Sequence, residues 1–229
     1  MKIAIIGAMQ KEIDFLLERI HNIKQNRELN HVFYEGILED KELVIVKAGI
    51  GKVASGLLFS ALVHTYPDLD LAINVGVSGG IMGKVEIGSV VAATRLSYLD
   101  VDTTVDAESL FGQVPGCPHF FHSDFGVLEK ISELPFRKGT ILTGDKFFTD
   151  AVWLKAIIDE YFPEEDVLAV DMESCALAQG AWFYGVPYLA LRAISDLVGR
   201  KTQYDEYGIN LTEACKNSNL ALLEVLRRL

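Results

Sequence analysis

Three carboxylates stand where apolar runs give way to other structure: Glu12 in IIGAMQKE, Glu173 in VDMES and Asp196 in RAISD. Each run reads as a buried strand, so the acids gather at the carboxyl edge of a sheet, where open α/β folds bind ligands. Carboxylates held close together repel one another unless a substrate uses them. Two in different environments can serve as general acid and general base, and a third can stabilise developing positive charge. The five histidines and three cysteines show neither a metal-ligand spacing nor a nucleophile motif. Acid–base hydrolysis without a metal or cofactor fits this set best.

Each residue also has a structural reading. Glu12 falls in the first turn of a helix, where a carboxylate favours the dipole by about 0.3–1 kcal/mol. Asp171 could cap the helix that follows VDMES, Glu173 could favour its dipole, and Met172 could fill a gap. Arg192 lies in an apolar strand and needs a carboxylate partner, because an unpaired buried charge is expensive. Phe147 and Phe148, after TGDK, could stack on a flat base or join the core. The run Asn74-Val75-Gly76-Val77-Ser78-Gly79-Gly80 lets backbone approach a ligand, or simply makes a tight turn. It is neither GxGxxG nor GxxxxGK[ST], so a dinucleotide or nucleoside-triphosphate site is poorly supported.

Strand and helix patterns alternate to position these residues. Strands are expected at Ile3–Ile6, in HVFYEGIL and LVIVKAG, in LAINVGVSGG before its glycine turn, and in IGSVVAATRLSYLD. Gly139–Thr143, Val167–Val170 and Pro187–Ser195 add three more. Helices are expected over Lys11–Ile20, after Gly49-Ile50-Gly51, around Trp153–Tyr161, over Ser174–Tyr184 and over Leu211–Leu229. The alternation predicts an α/β fold, a mixed central sheet flanked by helices, as a single domain over residues 1–229. The long irregular stretch from Asp100 to Asp124 is of the kind that carries function or an intersubunit contact.

Composition narrows the partners. The chain has 229 residues, half of them hydrophobic, enough to bury one sizeable core. With 21 basic and 32 acidic residues its formal charge is -11, which repels phosphate backbones and argues against nucleic acid. No uncharged run reaches the roughly 20 residues that span a bilayer. The cysteines are scattered and odd in number, and the amino terminus lacks signal-peptide features, so a soluble cytoplasmic protein without a membrane partner is expected.

IIGAMQKE, AGIGKV, NVGVSGG, GQVPGCP, GDKF, VDME and RAISD occur in that order. The ordered set resembles the bacterial 5′-methylthioadenosine/S-adenosylhomocysteine nucleosidases of the purine nucleoside phosphorylase superfamily, from Met1 to the final helix. The resemblance implies hydrolysis of the N-glycosidic bond of these adenine nucleosides, with 5′-deoxyadenosine a further candidate. Glu12 would activate water, Asp196 would protonate adenine N7, and Glu173 would bind ribose hydroxyls. Met172 would lie against ribose, Phe147 against adenine, and the Phe148 backbone at the adenine edge. Met9 and Ile50 would line the sugar and 5′ side, with Tyr204 of YDEY as an aromatic lid. Val77, Asp171, Arg192 and Ser195, from the matching motifs, complete the substrate-binding set. A homodimer is implied, its long loop closing the neighbouring subunit's 5′ pocket.

The chain departs from that pattern at Asp171, which replaces a glutamate, and in VGVSGG, where the serine is displaced by one place. Leu99 stands in the segment before the long loop, and Asp106 replaces an expected phenylalanine. Two alternatives stand beside the hydrolase: a phosphate-dependent purine nucleoside phosphorylase, disfavoured by a glutamate at the nucleophile position, and a nucleoside-binding protein without turnover.

Overall fold

A computed structural model describes residues 1–105 and 108–229; the Asp106 departure lies outside them. The isoleucine-rich β1 (Lys2–Gly7) is buried on both faces, as a strand covered by helices on either side must be. Its side chains alternate, Ile3 and Ile5 into one apolar cluster and Ala4 and Ile6 into another. Helix α1 (Gln10–Leu17) turns Ile13 and Leu16 inward and stops three residues before the expected Ile20. The chain there enters β2 (His21–Glu28), a polar, exposed edge strand with no apolar alternation to announce it. β3 (His31–Leu38) and β4 (Lys41–Lys47) form a hairpin whose two linking residues, Glu39 and Asp40, both have positive φ, as a tight primed turn requires.

The remaining elements are α2 (Lys52–Thr65), β5 (Leu71–Gly80), β6 (Val90–Tyr98), the short β7 (Phe121–His122) and α3 (Phe125–Lys130). They continue with β8 (Arg137–Thr143), α4 (Ala151–Tyr161), β9 (Val167–Asp171), α5 (Ser174–Tyr184), β10 (Tyr188–Leu197) and α6 (Gln203–Leu226). The strands form one mixed sheet in the order β10-β6-β8-β9-β5-β1-β4-β3-β2. β10 also pairs with β5, so five strands close on themselves and β1, β4, β3 and β2 extend from the ring. The expected α/β fold with a mixed sheet is therefore present, with this closure added.

Three local differences bear on the site. The glycines of NVGVSGG lie inside β5 rather than in a turn, and the strand runs to Gly80. β10 continues past Ser195 to Leu197, with a bulge in its pairing to β5 between Ile194 and Asp196. A bulge breaks strict alternation, and here both Ser195 and Asp196 reach the same cleft. Finally, α6 begins at Gln203, eight residues before the expected Leu211.

Candidate active site

Met9 is the N-cap of α1 and Glu12 its third residue. From there the buried Glu12 carboxylate folds back over the end of β1. It accepts the N–H groups of Ala8 at 2.6 Å and Met9 at 2.9 Å, and that of Val77 on β5 at 3.0 Å. Gly76 makes the approach possible, since a Cβ there would overlap both Glu12 Oε1 and Arg192 Nη1. Burial raises the affinity of Glu12 for a proton; Arg192 and the three N–H donors oppose this without cancelling it.

Arg192, fully buried in β10, supplies the cation. Its Nε donates to Asp171 Oδ2 at 2.9 Å, its Nη2 to Glu173 Oε2 at 3.3 Å and its Nη1 to the Val75 carbonyl at 3.1 Å. Asp171 ends β9 and also accepts Thr143 Oγ1 at 2.6 Å and the Ser174 N–H at 3.3 Å, so it does serve the start of α5. Glu173 occupies the N-cap position of α5, yet its side chain makes no cap. Instead Oε1 accepts the Gly51 N–H at 3.0 Å, tying the loop before α2 to β9. Burial, with Asp171 and Glu12 nearby, pushes Glu173 up to about 7 against the pull of Arg192 and Gly51.

Asp196 is held differently. Ser195 Oγ donates to its Oδ1 at 2.7 Å and Gln203 Nε2 to its Oδ2 at 2.8 Å. Burial raises its proton affinity, Ser195 and Gln203 lower it, and Glu206 raises it further, leaving it above the ordinary aspartate range.

These carboxylates open onto one cleft. Met9, Ile50, Val77, Phe147, Phe148 and Met172 wall it, and Asp171 and Ser195 also reach it. Phe147 is partly exposed, with the Tyr207 ring edge-on at 5.5 Å. The Phe148 ring stacks on Trp153 at 6.0 Å, and its backbone carbonyl accepts Gln203 Nε2 at 2.8 Å.

Two expected residues stand apart. Arg192 lies behind the carboxylates and does not line the cleft. Tyr204 is 75% exposed and reaches the site only through an edge contact with Phe147 at 6.2 Å. The early start of α6 explains this, because it turns Gln203 and Tyr207 into the cleft and Tyr204 away. Sequence reading missed Gln203 and Tyr207, although with Leu211 they share the i, i+4, i+8 spacing of one helix face. Ser78 was read only as part of the glycine run; the residue lines the cleft, and its buried hydroxyl has no hydrogen-bond partner among the described residues.

Among the described residues no cluster of His, Cys, Asp and Glu is arranged to hold a metal ion, and no helix is long and apolar enough to cross a membrane. The arrangement suits proton transfer at both ends of a bound molecule, with carboxylates between them to stabilise positive charge.

Residues 2–227 match the phosphorylase superfamily. A 5′-methylthioadenosine/S-adenosylhomocysteine nucleosidase of Bacillus pumilus is 34% identical, covering all of this chain and 99% of its own, and one of Bacillus subtilis is 33% identical over the whole of both. The solved structure of the S. pneumoniae nucleosidase with the transition-state inhibitor MT-ImmA superposes with a TM-score of 0.92 at 33% identity, covering 100% and 99% of the two chains. A Streptococcus pneumoniae MTA/SAH nucleosidase in complex with 8-aminoadenine gives a TM-score of 0.92 at 34% identity, covering both chains completely. With its closed mixed sheet and its cleft of four carboxylates, this chain belongs to the phosphorylase superfamily, in the family of 5′-methylthioadenosine/S-adenosylhomocysteine nucleosidases.

Proposed function

We propose that the chain hydrolyses the N-glycosidic bond of 5′-methylthioadenosine and S-adenosylhomocysteine, releasing adenine and a 5-thioribose. The observation that carries this reading is the division of labour between two buried acids. Burial raises the proton affinity of both, but Glu12 has three backbone N–H donors and nearby Arg192 to favour its ionised form, whereas Asp196, among the described residues, has no bonded cation and only two side-chain donors. Glu12 takes a proton from water as the water oxygen bonds to the anomeric carbon. Asp196 gives its proton to N7 as the bond to N9 breaks, and the electron pair leaves with the neutral adenine. Glu173 receives the ribose hydroxyls and stabilises the positive sugar between these events. Arg192 and Asp171 position Glu173 from behind.

Phe147 packs on the base, the Phe148 backbone meets its edge, and Met172, Met9 and Ile50 enclose the sugar and the 5′ side. The donors around Glu12 are spent on its own carboxylate and Arg192 on Asp171, Glu173 and a carbonyl, which leaves little to hold a phosphate. The test is adenine release from 5′-methylthioadenosine, S-adenosylhomocysteine and 5′-deoxyadenosine, with and without phosphate. Release without phosphate is expected; strict phosphate dependence would make the chain a phosphorylase, and no release over hours a binding protein.

A homodimer belongs to the same proposal. α2 and α5 pack together yet leave Val53, Leu57, Trp182 and Phe183 exposed. A helix that is apolar on all sides is normally covered on all sides, and a second copy placed here would also approach Ile50, 58% exposed at the cleft. Sedimentation should give a dimer, and a monomer at working concentration would remove the idea of a shared 5′ pocket. A cytoplasmic setting is included on the strength of three free cysteines, two of them buried.

A further inference from the structure

We infer that Gln203 is a displaceable occupant of the base subsite, which the purine must evict and which in turn helps to evict the product. The two N–H donors of its carboxamide are both committed, to the Phe148 carbonyl at 2.8 Å and to Asp196 Oδ2 at 2.8 Å. Its Oε1 accepts the Gly199 N–H at 2.9 Å, so the whole buried amide is satisfied. The edge of adenine that carries the 6-amino group and N7 presents a donor beside an acceptor. On the functional reading above, it needs these same two partners, the amine on the Phe148 backbone and N7 on Asp196. A nitrogen already 2.8 Å from both oxygens fills the place where that edge would sit, and two heavy atoms cannot share it.

The protonation of Asp196 points the same way. An N–H donated to Oδ2 favours the ionised carboxylate, whereas the reaction needs the proton on it. Departure of Gln203 removes that donor at the moment the base arrives, so entry of the purine also loads the acid. The side chain is placed to leave: Gln203 is the first residue of α6, the N-cap Thr202 makes no side-chain cap, and Arg200, Lys201 and Thr202 are exposed. A site competent only in the fraction of molecules with Gln203 withdrawn has its apparent affinity reduced by that fraction. The penalty applies to substrate and adenine alike, weakening binding of both and speeding product release.

The inference rests on the assignment of Phe148 and Asp196 to the base, and the experiment separates the two. Adenine binding is measured by calorimetry on the full chain, alongside Gln203→Ala and Gln203→Glu, with an unfolding midpoint for each. Loss of the competing amide should tighten adenine on the order of tenfold in Gln203→Ala, with KM for 5′-methylthioadenosine falling in the same direction. Gln203→Glu keeps the size but loses both donors and is repelled by Asp196, so it should tighten adenine as well. If Gln203 instead props Asp196 and Phe148 in place, both variants bind adenine more weakly and kcat falls, which overturns the inference. Equal affinity in all three proteins overturns eviction alone. Adenine bound by none of them overturns the base assignment and this inference with it.

Discussion

The two ends of the cleft hold buried carboxylates by opposite means. At one end Glu12 is clamped by three backbone N–H groups, while Asp171 and Glu173 share the guanidinium of Arg192. At the other, among the described residues, Asp196 has no bonded cation or backbone donor and is held by the side chains of Ser195 and Gln203. Backbone and a buried arginine cannot rearrange without disturbing the sheet, so the first end holds its hydrogen-bond donors fixed in place. Side-chain donors can be exchanged, and the second end can take up and give away a proton. The difference sets fixed donors against exchangeable ones, and each end predicts its own failure.

The largest expected effect is on stability. Arg192→Met leaves Asp171 and Glu173 without their cation and should cost about 3–5 kcal/mol in denaturant unfolding at neutral pH. The loss should shrink as the pH falls and Glu173 protonates; a pH-independent loss would indicate packing rather than charge. At the other end the balance reverses. Asp196→Asn should lower kcat by about 10²–10⁴ while leaving substrate bound and stability changed by less than about 1 kcal/mol. A near-normal kcat would remove Asp196 as the acid. Glu12→Gln should also depress kcat, but with a visible stability change, because an amide NH₂ cannot replace an oxygen that accepts N–H groups.

Much of this was readable from residue types. An arginine inside an apolar strand demanded a carboxylate, and Arg192 has two. VDMES posed a choice between cap and ligand, and its acids divide: Asp171 serves the start of α5 and Arg192, whereas Glu173 turns toward Gly51 and the cleft. The misses follow from what local pattern omits. β2 is an exposed edge strand reading HNIKQNRE, so no apolar period marks it. NVGVSGG looked like a turn because glycines usually make one; here they thin a strand, letting Glu12 and Arg192 crowd against Gly76 and apolar side chains against Gly80. The first turns of α6 are polar, and their inward face has a purpose only once Asp196 and Phe148 are known to lie opposite Gln203.

A smaller effect separates the ends by pH. Glu173 rises from an unfolded value of about 4.3 to about 7 in the folded chain, chiefly through burial. Between those values the folded state retains a proton that the unfolded state has released, so this group makes stability fall as pH rises through the window. Glu173→Gln abolishes that slope. The stability difference between wild type and variant, measured by urea unfolding at pH 5, 6 and 7, should therefore drift against the wild type by about 1–3 kcal/mol. A constant difference would mean that Arg192 keeps Glu173 ionised throughout, making its end of the cleft still more rigid than described.

The smallest effect lies between the ends, at Ser78. The residue lines the cleft and its buried hydroxyl has no partner among the described residues, whereas its carbonyl accepts Ser195 Oγ at 3.3 Å. A buried polar atom without a partner carries a desolvation cost of about 1–3 kcal/mol, which its removal should relieve in part. Ser78→Ala should therefore leave the unfolding midpoint unchanged or slightly higher. If the hydroxyl is reserved for the bound nucleoside, KM should rise a few-fold at constant kcat, since a contact made equally in ground and transition states alters binding alone. A fall in stability beyond about 1 kcal/mol would mean that the hydroxyl is satisfied within the protein. A fall in kcat at constant KM would place it with Asp196 among the groups that act only in the transition state.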